Sequence, residues 1–294
     1  MIKNTDIAYA SGYFDGDGCL YIGKQKKKFP AKTIVTSTNK NVLDWFKETF
    51  GGNIILTKIS SKHPTHKPCH RFHKGKIGSI QFVKKLLPFL VERTDEARIF
   101  LAFAKSQKHG DRIDFIDQMK AAKNTNNLVY REQKELFESN RSSITPTLED
   151  FAFLAGFIDA ECCFSISKYK SAYGRYCYKI HLSCNNSKAP IFKWLLERFG
   201  GRINFINRSK RSKKERDQFA WRLSCRALFN IINSVYPFLK HKKPVCAKLI
   251  EFYDTTLPNG GDRQSAQFRE QYAAAIVKRE CIVKKVHELN SKGI

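Results

Sequence analysis

Two stretches of this 294-residue chain end a run of small residues on an acid. Residues 8–18 read Ala-Tyr-Ala-Ser-Gly-Tyr-Phe-Asp-Gly-Asp-Gly, and residues 152–162 read Ala-Phe-Leu-Ala-Gly-Phe-Ile-Asp-Ala-Glu-Cys. Positions four apart stack on one helix face, so Ala8, Gly12 and Gly16, like Ala152, Gly156 and Ala160, make a stripe of almost no side-chain bulk. Such stripes let two helix backbones approach closely. An acid, Asp17 or Glu161, follows each stripe directly. Helices packed stripe to stripe would bring these carboxylates together at two negative helix ends, where they repel unless a cation lies between them. The spacing therefore points to a divalent-metal site on a pseudo-twofold axis. Either copy alone would be an ordinary helix followed by a turn; two copies with the acid at the same offset are not easily accidental.

Charge sets the next bound. The net charge is +26. Residues 1–105 hold 19 basic and 8 acidic side chains, residues 106–147 hold 7 and 6, and residues 148–294 hold 27 and 13. The positive field thus follows the two repeated segments, which suits a polyanion, nucleic acid before others. No segment has the apolar length of a membrane span, and no secretory signal is visible, so the expectation is a protein that is not secreted. The nine cysteines include no C-x-x-C pair and read as free thiols, several of them buried. His63, His66, Cys69, His70 and His73 have zinc-like spacing but lack a second paired knuckle, so a basic hairpin facing phosphate is the preferred reading.

The repeat runs through both halves. Trp45 and Trp194, Phe50-Gly51-Gly52 and Phe199-Gly200-Gly201, and Pro88-Phe89-Leu90 and Pro237-Phe238-Leu239 share a separation of 149 residues, whereas the acids lie 144 apart. Five additional residues are therefore expected in a hairpin near Tyr169–Tyr178. Leu20 and Ile22, Phe164 and Ile166, and Tyr178, Ile180, Leu182 and Cys184 alternate with polar neighbours, as in half-buried strands. Further strands are expected around 53–60, 70–74, 202–208 and 218–224. Helices are expected over 40–50 and 187–199, each stopped by Gly-Gly, then over 78–90, 94–108, 226–238, 243–254 and 262–290. The fold class is α+β: two pseudo-symmetric αββαββα domains, 1–108 and 148–294, joined by a linker over 109–147 with room for short helices. Each antiparallel sheet would turn an apolar face to the helices. Its other face would carry Lys24, Lys26, Lys28, Lys32, Thr36, Lys58, Arg71 and His73 in the first half. In the second half it would carry Ser165, Ser167, Lys179, His181, Ser183, Asn185, Arg202, Arg208 and Arg222. Sheet faces of this kind fit a DNA major groove. Short polar groups such as Ser183 and Asn185 suit base reading, while Lys58, Arg202 and Arg208 suit either reading or phosphate contact.

At Ala10–Gly18 and Leu154–Cys162, and at the shared landmarks, the chain resembles the LAGLIDADG homing endonucleases, in the single-chain form with two motifs. Ser11 stands where the motif usually has Ala, and Cys162 where it ends in Gly. The resemblance implies that Asp17 and Glu161, with the backbone of Gly16 and Ala160, hold Mg²⁺, or Mn²⁺ or Ca²⁺ in its place. It implies that Arg93 and Lys242 assist catalysis and that Ser37 and Asn186 hold water. The other motif acids, Asp15 and Asp159, lie on a different helical azimuth and read as structural. The implied activity is metal-dependent cleavage of both strands of a long, pseudo-palindromic duplex by a monomer that needs no protein partner. An intron-borne gene in an organelle, or a bacterial cytoplasm, is the expected setting. The competing class is an RNA maturase on the same fold, which loss of one or both acids would favour; both acids are present. A DNA-binding regulator is the second rival, without a convincing helix-turn-helix in 255–294.

Overall fold

The computed structural model describes residues 1–26, 28–57, 68–125, 144–170, 172, 176–186, 189–206, 218–255 and 265–292. The first half runs α1 (Asn4–Asp17), β1 (Gly18–Ile22), β2 (Ala31–Ser37), α2 (Lys40–Phe50), β3 (Asn53–Thr57), β4 (Cys69–Lys74), α3 (Lys76–Leu86) and α4 (Thr94–Lys105). The second repeats it as α6 (Leu148–Glu161), β5 (Cys162–Lys170), β6 (Tyr176–Asn186), α7 (Ala189–Phe199), β7 (Arg202–Ile206), β8 (Gln218–Ser224), α8 (Arg226–Val235) and α9 (Lys243–Asp254). Each half forms one antiparallel sheet, ordered β1-β2-β4-β3 and β5-β6-β8-β7. The αββαββα expectation holds, and the longer hairpin of the second half lies where expected, between β5 and β6.

The motif helices have no solvent-facing side over most of their length. Residues 8–16 of α1 and 152–159 of α6 are all buried, as befits a helix enclosed by its own sheet and by a partner helix. The two pack stripe to stripe: a Cβ added at Gly12 would lie 2.0 Å from the Phe153 carbonyl oxygen, and one at Gly156 would lie 2.0 Å from that of Tyr9. The Gly-Gly stops follow α2 and α7 with positive φ at Gly51, Gly52, Gly200 and Gly201 (66°, 121°, 63° and 100°), a conformation that side chains disfavour. Lys74, buried on the inner sheet face, donates to the Phe50 and Gly51 carbonyls that α2 leaves unpaired.

Residues 109–125 of the expected linker form a helix, α5, and the C-terminal helix α10 spans Ala266–Lys292. These two play matching parts. Lys123 Nζ on α5 donates to the Leu20 carbonyl (2.8 Å), and Asn290 Nδ2 on α10 to that of Phe164 (2.9 Å), so each helix crosses the first strand of its own half.

The cysteines depart from the expectation. Cys162 and Cys184 are directly opposed on the inner face of β5 and β6 and are joined as a disulfide. Of the seven free cysteines only Cys246 is buried; Cys163, Cys225 and Cys281 are exposed and Cys19, Cys69 and Cys177 half-buried.

Candidate active site

Asp17 and Glu161 close α1 and α6, and the paired stripes bring them to the same end of the interface. A Cβ on Gly16 would lie 2.5 Å from Ala160 Cβ and 2.9 Å from Glu161 Cγ. The consequences are electrostatic. Burial, and then repulsion from Glu161, push the Asp17 carboxyl from 3.8 up to about 7. Burial, and then the charge of Glu92, raise Glu161. The donor set is all oxygen, two carboxylates beside helix-end carbonyls, which suits a hard cation such as Mg²⁺ or Ca²⁺. Among the described residues no group of three or more His, Cys, Asp or Glu is assembled for a metal, so a cation here would complete its shell from backbone, water or substrate. His70 and His73 stand three positions apart on β4, hence on opposite faces by strand alternation, and His63 and His66 lie outside the described residues.

The other motif acids hold the loops after Pro-Phe-Leu. Asp15 accepts from the backbone N–H of Val91 (2.7 Å), Glu92 (3.0 Å) and Arg93 (3.0 Å). Asp159 accepts from those of Lys240 (2.7 Å), His241 (3.0 Å) and Lys242 (2.7 Å), and also from Tyr9 Oη of the opposite helix (2.8 Å). Both acids are therefore structural, as expected. The loops carry the basic residues to the helix ends. Lys242 Nζ donates to the Ile158 and Cys162 carbonyls (2.7 and 2.6 Å), and Arg93 Nε to Phe14 O (3.0 Å) with Nη2 3.4 Å from Gly16 O. Burial lowers the Lys242 pKa, opposed by the charges of Asp159, Asp17 and Glu161.

Ser37 ends β2, buried, and accepts from Tyr13 Oη (3.0 Å). It lines a cavity of about 240 Å³ with Asp17, Ala160, His241 and Lys242, so one concavity draws on both halves. Asn186 ends β6, and its Nδ2 donates to Glu92 Oε2 (2.8 Å). Glu92 and His241 escaped the sequence reading. They share the 149-residue separation and precede Arg93 and Lys242, so aligning the two halves would have exposed a carboxylate opposite an imidazole.

Both departures from the motif are absorbed. Ser11 donates to the Ile7 carbonyl (2.9 Å) and the Leu86 carbonyl (3.2 Å). Cys162 follows α6 with φ −97° and ψ 162°, close to Gly18 after α1 at −81° and 157°, so the backbone takes the same path with or without the glycine.

The outward sheet faces follow the expected registers. In the second half burial alternates so that Ser165, Ser167, Lys179, His181, Ser183, Asn185, Arg202 and Arg222 face away from the core. Ser165 Oγ and His181 Nε2 are 2.7 Å apart. Ser167, Lys179, His181, Arg202 and Arg222 line a basic concavity of about 630 Å³. In the first half Lys32, Thr36, Arg71 and His73 face outward, and Lys24, Lys26 and Lys28 occupy the exposed turn before β2. That face is less polar than expected, for Ile34 and the exposed Ile55 stand opposite His73 and Arg71. Lys58 and Arg208 lie outside the described residues.

Fold and site together define a two-domain α+β protein in which each domain supplies one sheet and one acid-tipped helix to a shared axis. Residues 154–256 match the family model of the LAGLIDADG endonucleases. The LAGLIDADG meganuclease I-AabMI, solved bound to uncleaved DNA, is similar over 96% of this chain and 97% of its own (TM-score 0.60, 18% identity). I-SmaMI, solved on an uncleaved DNA target with calcium ions, covers 95% and 97% (0.63, 14%), and I-LtrWI, solved with target DNA, covers 97% and 98% (0.61, 16%). No curated protein sequence matches. Residues 154–256 are thus similar to the LAGLIDADG endonucleases, and the chain as a whole has the fold of the LAGLIDADG meganucleases. Among the described residues no helix is long and apolar enough to cross a membrane.

Proposed function

We propose that this protein is a site-specific homing endonuclease, a monomer that makes a double-strand break in a long, pseudo-palindromic DNA target and is encoded within an intron. The observation that carries the reading is the convergence of Asp17 and Glu161 at the end of a close-packed helix pair, midway between two sheets with polar outward faces. Two acids that repel one another, Asp17 half-buried and Glu161 more open to solvent, are an unfavourable arrangement for stability alone, and they make sense as cation ligands. Asp17 and Glu161, with the carbonyls of Gly16 and Ala160, would hold Mg²⁺, for which Mn²⁺ or Ca²⁺ could substitute. The cation these residues would hold would supply Lewis-acid chemistry, easing deprotonation of water and offsetting charge on the leaving oxygen. Lys242 and Arg93, fixed by helix-end carbonyls, add positive charge where the transition state gathers negative charge. Ser37 and Asn186 orient water. The basic outward side chains bind phosphate, and the short polar ones read base edges. A net charge of +26 supports fast, salt-sensitive association.

The test is cleavage of a plasmid library of candidate insertion sites, with Mg²⁺ and with EDTA. Cleavage that needs Mg²⁺ and disappears in Asp17→Asn and Glu161→Gln is expected. Tight binding to intron RNA with no cleavage of any duplex would transfer the protein to the maturase class.

A further inference from the structure

The two halves do not build equivalent centres. Each loop after Pro-Phe-Leu reaches across the pseudo-twofold axis to the partner half. His241 lines the cavity that contains Asp17 and Ser37, while Glu92 accepts from Asn186, 94 residues away in sequence. Four positions thus meet at two places across the axis, one a cavity lined by an imidazole and a hydroxyl, the other a hydrogen-bonded carboxylate and amide. Glu92 is only 5% exposed, and its charge opposes those of Asp15 and Glu161. A buried carboxylate in such company is unfavourable unless hydrogen bonds compensate it. Its backbone N–H is already held by Asp15, so the loop needs no carboxylate for its own shape.

The hydrogen bond sets an orientation. The Glu92 side-chain oxygen accepts from the amide nitrogen of Asn186, which turns the accepting oxygen of that amide away from Glu92. Resting on the nuclease reading above, we propose that Glu92 is a positioning residue for one of the two strand cleavages. It fixes the flip of Asn186 so that the amide oxygen orients the water for the Glu161 centre, while the Asp17 centre works without it. The two strands are then cut by differently supported centres.

Strand-resolved cleavage tests this. A duplex recovered from the plasmid library, labelled on each strand in turn, is cut under single-turnover conditions at saturating enzyme with Mg²⁺. Glu92→Ala should slow one strand by roughly tenfold or more, since small misplacements of a positioning group carry large rate penalties, and leave the other at the wild-type rate. The unaffected strand is an internal control for folding and binding. Asn186→Ala should slow the same strand, the double variant should be no slower than the worse single one, and Glu92→Gln, which still offers an accepting oxygen, should restore most of the rate. If Glu92→Ala unfolds and loses both strands, Asn186→Ala and Glu92→Gln decide alone. Equal slowing of both strands in folded variants, no slowing, or multiplicative effects would overturn the role of Glu92 and leave the nuclease reading intact. A wild-type protein that cuts no duplex would overturn both.

Discussion

Replacing Gly156 by Ala tests the helix interface on which the site depends. The added Cβ would sit 2.0 Å from the Tyr9 carbonyl oxygen, 2.8 Å from the Tyr13 nitrogen and 2.9 Å from the Tyr9 carbonyl carbon. All three are backbone atoms of α1, so no side-chain rotation relieves the clash. Ordinary contact begins at 3.4 Å, so the helices must part by about 1.4 Å at that point. Forced overpacking costs about 1–3 kcal/mol and more where nothing yields, while alanine returns about 1 kcal/mol of helix propensity. A net loss of about 2 kcal/mol is expected, which lowers Tm by roughly 3 °C in a chain of this size. Gly110→Ala is the control: it lies in α5, and a Cβ there meets nothing within 4 Å, so it should be neutral or slightly stabilising. Because the same movement separates Asp17 from Glu161, cleavage should fall by about 10²-fold, as a 1 Å misplacement does elsewhere. Gly12→Ala opens the same gap against the Phe153 carbonyl, so the double variant should lose less stability than the two single losses together. Thermal denaturation and cleavage assays suffice. A Gly156→Ala protein with the melting temperature and cleavage rate of the wild type would refute the close packing of α1 on α6.

Four further outcomes follow from the site. Asp17, raised from 3.8 to about 7 in the folded protein, contributes stability that is complete below pH 4 and is lost as pH rises through 7. In EDTA, Asp17→Asn should therefore gain in Tm relative to the wild type between pH 4 and pH 8, and saturating Mg²⁺ should shrink that gain; a difference independent of pH would contradict it. Asp159→Asn, which disturbs three loop N–H groups and Tyr9, should lose at least about 2 kcal/mol of stability along with cleavage, measured by urea denaturation. Lys242→Ala should slow cleavage at saturating enzyme more than it weakens binding, and a collapse of affinity with the rate intact would make Lys242 a phosphate clamp. Ser183→Ala and Asn185→Ala should relax base preference in one half-site by about 1–3 kcal/mol at one or two positions, whereas Arg222→Ala should weaken all sequences and reduce the salt slope by about one unit if it contacts phosphate. A specificity profile unchanged by the first two would show that β6 does not read bases.

Much of the molecule is legible in the sequence because it is local. The small stripes, the alternation along β6 and the glycines that stop α2 and α7 each depend on residues a few positions apart, and periodicity records such relations directly. Internal repetition extended the reading, since the acids share an offset of 144 and three later landmarks an offset of 149, which places the inserted residues between them. Asp15 and Asp159 were distinguishable from Asp17 and Glu161 by helical azimuth alone. Other features came only with docking. Tyr9 meets Asp159 across 150 residues, Asn186 meets Glu92 across 94, and Lys240 of one half sits 4.2 Å from the centroid of Trp45 in the other. No periodicity links such positions, because their proximity is fixed by how closely α1 and α6 approach. Cys162 and Cys184 meet for a different reason, the register of β5 on β6, which sets them face to face. The sequence by itself therefore determined two acid-tipped helices and two half-buried sheets. The tertiary structure alone decided that the loops cross the axis and so which of these unlike residues meet, because a contact between halves depends on the geometry of their interface.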